Sequence, residues 1–287
     1  MVRFILVAET GSDITPEVAK DLGIEIVPMH VNFGGHDLDD GSFPPEDLYE
    51  NYRRTKELPH TSGSTPQDFT RAFNRIHAEH PEAQVVYLAY SSVTTVSYAS
   101  ALAAAEGRDY VTAIDTKSVS AGQGMVVTNT ARWLKANPEA TLDELKAFVD
   151  DQVARIRMSF IPGDLEYLRA GGRLSNIAFL GATLLRIKPT VEIQDGRLVA
   201  TDKRRGSRLK CIVALTRHFL EAEPLDAGRI SFIYSVGDAP DPTEREAVEQ
   251  LAHEHGFERI EWVKTGCVIA SHSGPGAFGI VAMAKGA

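Results

Sequence analysis

The chain has 287 residues, 43% of them hydrophobic and 24% charged, and a formal net charge of −9. That balance excludes a disordered chain and allows large buried cores in about two domains. The acidic balance, whose densest basic cluster is Lys203-Arg204-Arg205 with Arg208, excludes non-specific nucleic-acid binding. Two distant cysteines, Cys211 and Cys267, point to neither a zinc site nor a disulfide framework.

Residues 4–8 form a continuous apolar run that reads as a strand buried on both faces. It turns polar too soon for a signal peptide, and no apolar run approaches the ~18 residues of a membrane span, so a cytoplasmic protein is expected. The turn Thr10-Gly11-Ser12-Asp13 leads to a helix over 16–22, opened by Pro16 after Thr15, and then to a strand over 24–31. Gly34-Gly35, Asp39-Asp40-Gly41 and Pro44-Pro45 mark a long turn-rich excursion before a short helix over 46–54. A polar stretch at 61–66 precedes a helix to about 80. A strand at 84–90 runs into a hydroxyl cluster at 91–97 and a helix through 105. A strand at 110–114 ends in Asp115, a helix runs from Gly122 to about 137, and the capping box Thr141-x-x-Glu144 opens a helix to 157. Strands alternating with helices at this spacing predict a mainly parallel sheet covered on both faces.

The second half changes rhythm. Gly171-Gly172 breaks the chain after 164–170, and Ser175 begins another helix. Asp195-Gly196 between strands at 188–193 and 197–200 is a hairpin signal. A helix over 208–221 and a strand over 230–235 follow, and Thr243-x-x-Glu246 is read as the cap of a helix ending at His255-Gly256. The runs 259–263, 267–271 and 278–284 read as strands. The fold class is therefore α/β: an N-terminal domain, 1–157, with a mainly parallel sheet, and a C-terminal mixed or antiparallel domain, 158–287.

Several polar loops follow predicted strands, at 10–13, 91–97 and 115–120, and the carboxyl ends of parallel strands form the ligand-binding edge of such sheets. Thr61-Ser62 and Ser271-His272-Ser273 are candidates to join them. Hydroxyl and N–H donors without paired carboxylates suit an anion, although any single Ser or Thr here also serves as a helix cap or turn residue. Gly274-Pro275-Gly276-Ala277-Phe278-Gly279 fits G-x-G-x-x-G but has only eight residues after it, too few for the helix and strand of a dinucleotide fold. Its glycines fit a tight turn or a close backbone approach near His272. His272 suits donation to an anion. A hydrolytic pairing with Ser62, Ser91 or Ser92 is the alternative, without a G-x-S-x-G elbow or an identified orienting acid. Arg173 and Arg205 offer two-pronged contacts to carboxylate or phosphate, or else surface salt bridges.

In combination these segments resemble the DegV family nearly end to end. The resemblance rests on Ala8-Glu9-Thr10 with Ser12-Asp13, Thr61-Ser62-Gly63-Ser64-Thr65-Pro66, and Ser91-Ser92-Val93-Thr94-Thr95-Val96-Ser97-Tyr98. It rests equally on Gly171-Gly172-Arg173-Leu174-Ser175, Ile187-Lys188-Pro189, Lys203-Arg204-Arg205-Gly206 and His272-Ser273-Gly274-Pro275-Gly276-Ala277. The resemblance implies two α/β domains and a long-chain fatty acid in a buried apolar tunnel, with no other cofactor and no metal. The acyl carboxylate would be held among Thr61, Ser62, Ser91, Ser92, Thr95, His272, Ser273 and Gly274. Arg173 and Arg205 would lie near the head group or a docking face. A separate ATP-using fatty-acid kinase would phosphorylate the presented carboxylate, so the chain itself would be a non-catalytic carrier. A lipid sensor without a kinase is the alternative in that framework. Two positions depart from the family pattern: Val96 replaces a glycine, and Gly63-Ser64 replaces Gln-Pro.

Overall fold

The computed structural model describes residues 3–173 and 188–286. The first apolar run forms β1 (Phe4–Glu9), flanked in parallel by β2 (Ile24–Val27) and β6 (Gln84–Ala89), with β7 (Val111–Asp115) beyond β6. Successive side chains of a strand face opposite sides, so an all-apolar strand needs cover on both. Val7, Val85 and Tyr87 pack against Phe69 and Phe73 of α3 (Pro66–Glu79) and against α4 (Ser97–Ala105). Leu6, Val86 and Leu88 pack on the other face against α5 (Ser120–Ala136) and α6 (Leu142–Arg155). The strand order β2-β1-β6-β7 reverses direction between β1 and β6, which opens a crevice at their carboxyl ends.

The predicted strand 24–31 is two strands in two sheets. Pro28 has no N–H to continue a ladder, so β2 stops at Val27 and β3 (His30–Phe33) starts a separate antiparallel sheet with β4 (His36–Asp39) and β5 (His60–Ser62). Gly34 and Gly35, at φ of +58° and +78°, make the two-residue turn between β3 and β4. The turn-rich excursion thus contains a hairpin, and the polar stretch at Thr61 contributes its third strand.

The other large sheet has the order β10-β9-β8-β13-β11-β12. Its strands are β8 (Ile156–Ile161), β9 (Lys188–Gln194), β10 (Arg197–Arg204), β11 (Leu225–Tyr234), β12 (Ile260–Lys264) and β13 (Phe278–Ala284). Within this sheet, among the described residues, only β11 and β12 pair in parallel, so it is mixed. Asp195 and Gly196, both at positive φ, turn β9 into β10 as the sequence predicts. β10 extends to Arg204, whose Nε donates to Thr190 Oγ1 at 2.9 Å, so Lys203 and Arg204 stand on a strand and not in a surface loop.

Two further readings are corrected. The segment 267–271 is helical, α10 (Cys267–Ser273), because buried carboxylates described below capture the first backbone N–H groups and a short apolar run does not distinguish strand from buried helix. The helix α9 (Pro242–Glu254) is capped two residues earlier than Thr243, by a reciprocal box between Asp241 and Glu244 with Pro242 in the first turn. The box at Thr141 and Glu144 and the helix α8 (Arg208–Glu221) form as read. The helix expected from Ser175, and Leu174 and Ile187 of the quoted motifs, lie outside the described residues.

Strand alternation decides what each face of the mixed sheet meets. Ile230, Phe232, Phe278 and Ile280 join α8 and α9 in one core. Met158, Phe160, Ile233 and Val281 face the opposite way, toward Met125 of α5 and Leu168 of α7 (Leu165–Gly171). α5 is buried almost all round because it packs on both sheets, and Arg229 of β11 ties it down by donating to Asn129 Oδ1 at 2.9 Å. No helix among the described residues is long and apolar enough to cross a membrane.

Candidate functional site

A cavity of about 840 Å³, its open mouth included, lies between that second face of the mixed sheet, α10, the small sheet and the loops at the carboxyl edge of the parallel sheet. Its buried walls are mainly apolar, built from Met158, Phe160, Leu168, Leu198, Ile233 and Val268, with the buried hydroxyls of Ser120, Ser235, Thr265 and Ser273 among them. The polar lining residues Thr61, Ser62, Thr94, Thr95, Arg173 and His272 reach solvent, as do Tyr90, Tyr234 and Ile269. No Asp or Glu lines it among the described residues. Such a space accepts a long apolar body and one anionic end, because a buried anion needs donors and no competing carboxylates.

The centre of the polar end is His272 Nε2, 2.7 Å from Thr61 Oγ1. Protein packed around the ring pushes its pKa down to about 4, and the positive charge of Arg173 adds to that, so the imidazole is neutral at physiological pH. Nδ1 is buried and has no partner among the described residues. A lone pair is tolerated there better than an orphan N–H, which assigns the proton to Nε2 and makes Thr61 the acceptor. The Thr61 hydroxyl proton is then free to donate to a ligand. Without a carboxylate on Nδ1, His272 also lacks the orienting acid of a hydrolytic triad.

Glycines set how closely these pieces approach. A Cβ on Gly171 would fall 2.1 Å from His272 Nδ1, so only glycine admits the ring, and Gly172 at φ +64° ends α7. The next residue is Arg173, which lines the cavity. Gly274, also at positive φ, ends α10 and packs against Asp164, while Ser273 accepts the Gly163 N–H at 2.8 Å through its carbonyl. The Ser273 hydroxyl bonds Ser235 at 2.7 Å in the cavity wall. At Gly63 a Cβ would stand 2.5 Å from Thr95 Oγ1 and 2.6 Å from Ser97 Oγ, so the departure from the family pattern lets the two hydroxyl loops abut. Ser64 N donates to Ser97 Oγ at 3.0 Å across that contact. Val96 points outward, 64% exposed.

The remaining candidates sit elsewhere. Ser91 is buried and donates to Gly196 O at 2.7 Å, tying the loop to the β9–β10 turn, and Ser92 donates to Asp115 Oδ2 at 2.6 Å. Neither lines the cavity, nor does Gly274, and Arg205 is exposed after β10.

Three carboxyl groups near the site are buried, which the sequence does not show even where Glu9 and Asp13 fall within a quoted motif, because burial is a tertiary property. Glu9 accepts from Tyr87 Oη, from Gln123 Nε2 at 2.7 Å and from Tyr90 N at 3.2 Å, which fixes the strand end before Ser91. Asp13 accepts Gly266 N at 2.7 Å and Asp40 accepts Cys267 N at 2.8 Å, so two chain segments anchor the start of the helix that carries His272. Burial pushes Glu9 and Asp13 up to about 7 and also raises Asp40. Tyr90 and Met29, which line the cavity, likewise stand out only in three dimensions.

Comparison with known proteins agrees with this architecture. Residues 3–285 match the profile of the family described as "Uncharacterised protein, DegV family". A DegV domain-containing protein of Deinococcus radiodurans is 30% identical over 278 residues, 96% of each chain. A DegV family protein from Thermus thermophilus, solved as a study of its fatty-acid binding, superposes with a TM-score of 0.84 at 29% identity over 99% of this chain and 100% of its own. DegV of Bacillus subtilis shares the fold, with a TM-score of 0.82 at 23% identity over 99% of this chain and 100% of its own. The chain belongs to the DegV family.

Proposed function

We propose that this chain is a non-catalytic cytoplasmic carrier that encloses a long-chain fatty acid and presents its carboxylate to a separate ATP-dependent kinase. The observation that carries the reading is the mainly apolar cavity whose polar end centres on Thr61 and His272 and has no carboxylate among the described residues. The fatty-acid binding described for the Thermus thermophilus relative supports it. Burying the roughly fourteen methylenes of a sixteen-carbon chain at ~0.8 kcal/mol each contributes about 11 kcal/mol before ordering costs. The carboxylate, costly to bury alone, gains the Thr61 hydroxyl, the neighbouring Ser62 and Thr95 hydroxyls and the charge of Arg173. Ser91, Ser92, Ser273 and Gly274 belong to the site in this reading as the frame that holds those donors.

Transfer to the kinase tests the presenting role. With ATP and the kinase fraction of the same cells, the loaded protein is expected to yield an acyl phosphate. Ser92→Ala, which removes the hydroxyl bond to Asp115 and leaves that carboxylate only its backbone amides, is expected to slacken the hydroxyl loop and lower that turnover about tenfold with little change in lipid affinity. Binding without phosphorylation by any such fraction would replace the carrier reading with a lipid sensor.

A further inference from the structure

We propose that His30 is a positioning residue for the polar end of the cavity, a protonated clamp on the strand that carries Thr61 and Ser62. The proposal rests on the fatty-acid reading for its ligand, but its geometry stands apart from the cavity. β3 is the middle strand of the small sheet, and in register His30 faces Asp39 of β4 on one side and Ser62 of β5 on the other. Its Nδ1 is 2.9 Å from Asp39 Oδ1 and its Nε2 is 2.9 Å from Asp68 Oδ2, at the start of α3.

Both ring nitrogens therefore meet carboxylate oxygens, which only accept when ionised. A neutral imidazole has one N–H, so one of the two contacts would set a lone pair against an anion. Only the imidazolium makes both hydrogen bonds. Burial alone would lower the His30 pKa, but Asp68 and Asp39 outweigh it and raise the group above its ordinary value. Burial alone would likewise raise Asp68, but the Thr65 hydroxyl and amide and His30 hold that carboxyl below its usual range. The charged groups around His30 are Asp39 from β4 and Asp68 from α3, with Arg71 bonded to Asp68 from behind. α10, which packs on β3 and β5, brings the neutral His272 to Thr61.

The clamp reaches the site through one carboxylate. Asp68 Oδ2, which holds His30, also accepts the Thr65 amide at 2.8 Å and the Thr65 hydroxyl at 2.6 Å. Thr65 follows Ser62, Gly63 and Ser64, so both ends of the short segment beginning at Thr61 are tied to His30: one by β-pairing, the other through Asp68. Losing the proton breaks one bond of the pair and loosens the segment that faces Thr95 and His272.

The sign follows from the raised pKa. A histidine that gains partners on folding contributes fully below its unfolded value of about 6.5, and the contribution is lost as pH rises through the higher folded value. Affinity for a carboxylate ligand is therefore expected to fall about fivefold as pH rises through the His30 titration.

The test uses the delipidated full-length protein with palmitate as probe, titrated from about pH 6 to 9, while amide resonances of Thr61 and Ser62 are followed by NMR. Asp39 is exposed and does not line the cavity, so Asp39→Asn should fold and lower the His30 pKa. The expected result is a fall in affinity that shifts to lower pH in Asp39→Asn and vanishes in His30→Gln, with the two amides titrating at the same midpoint. A profile identical in wild type and Asp39→Asn would assign the pH dependence to palmitate or to the buried Glu9 and Asp13 carboxyls, and overturn the clamp. If palmitate fails to bind at every pH, the fatty-acid reading falls separately. The amide midpoint then decides alone: a shift in Asp39→Asn upholds the clamp, and amides blind to pH overturn it.

Discussion

Ile233→Trp is expected to bind a long-chain fatty acid roughly 200-fold more weakly while the protein remains folded. Ile233 stands on β11 and lines the cavity together with Phe160 and Leu168, on the side of the mixed sheet away from α8 and α9. An indole there takes the space of about four methylenes of the acyl chain, and at ~0.8 kcal/mol each their exclusion costs about 3 kcal/mol. Elsewhere in a protein core such enlargement strains the packing, but here the added volume enters empty space. Titration calorimetry with fatty acids of increasing length checks the assignment. The loss should be greatest for long chains and nearly absent for short ones that do not reach Ile233. Equal loss at all lengths would place Ile233 at the head group.

Gly171→Val should damage the polar end as severely as removing His272, although Gly171 offers no functional group. Its Cβ would lie 2.1 Å from Nδ1, far inside contact distance, and the ring belongs to a helix fixed at both ends. The start of α10 is held by Asp13 and Asp40, and its end by the Gly163–Ser273 bond, so the imidazole must turn away from Thr61. Hydrogen bonds to a charged group contribute about 1.5–3 kcal/mol, so a loss of roughly 10- to 100-fold in affinity is expected. Gly171→Val, His272→Ala and the double variant should be nearly equal, since all three remove one arrangement. Additive losses would show that Gly171 acts independently of the ring.

The legible part of the fold was the part written in local patterns. The apolar run beginning at Phe4, the Asp195-Gly196 turn and the box at Thr141 and Glu144 each encode their structure within a few residues. Where tertiary partners decide, local pattern fails. The run Cys267-Val268-Ile269-Ala270 is helical because Asp13 and Asp40, more than two hundred residues earlier, receive the amides of Gly266 and Cys267 where it begins. The strand read through Pro28 breaks because that residue lacks an N–H. At the site, the motifs containing Thr61, Gly171 and His272 were visible as motifs, but not that Gly171 exists to admit the His272 ring. The walls were invisible because Met158, Phe160, Leu198 and Ile233 look like any alternating strand residues. Glu9 and Asp13 were visible within a motif but not as buried anchors, and His30 looks like an ordinary surface side chain until its neighbours are known.

Mass spectrometry of an organic extract of the purified protein tests the central claim most directly. One long-chain fatty acid per chain, released from wild type and depleted from Ile233→Trp, is the predicted result. An extract without lipid, from a protein that also fails to take up added fatty acid, would contradict it.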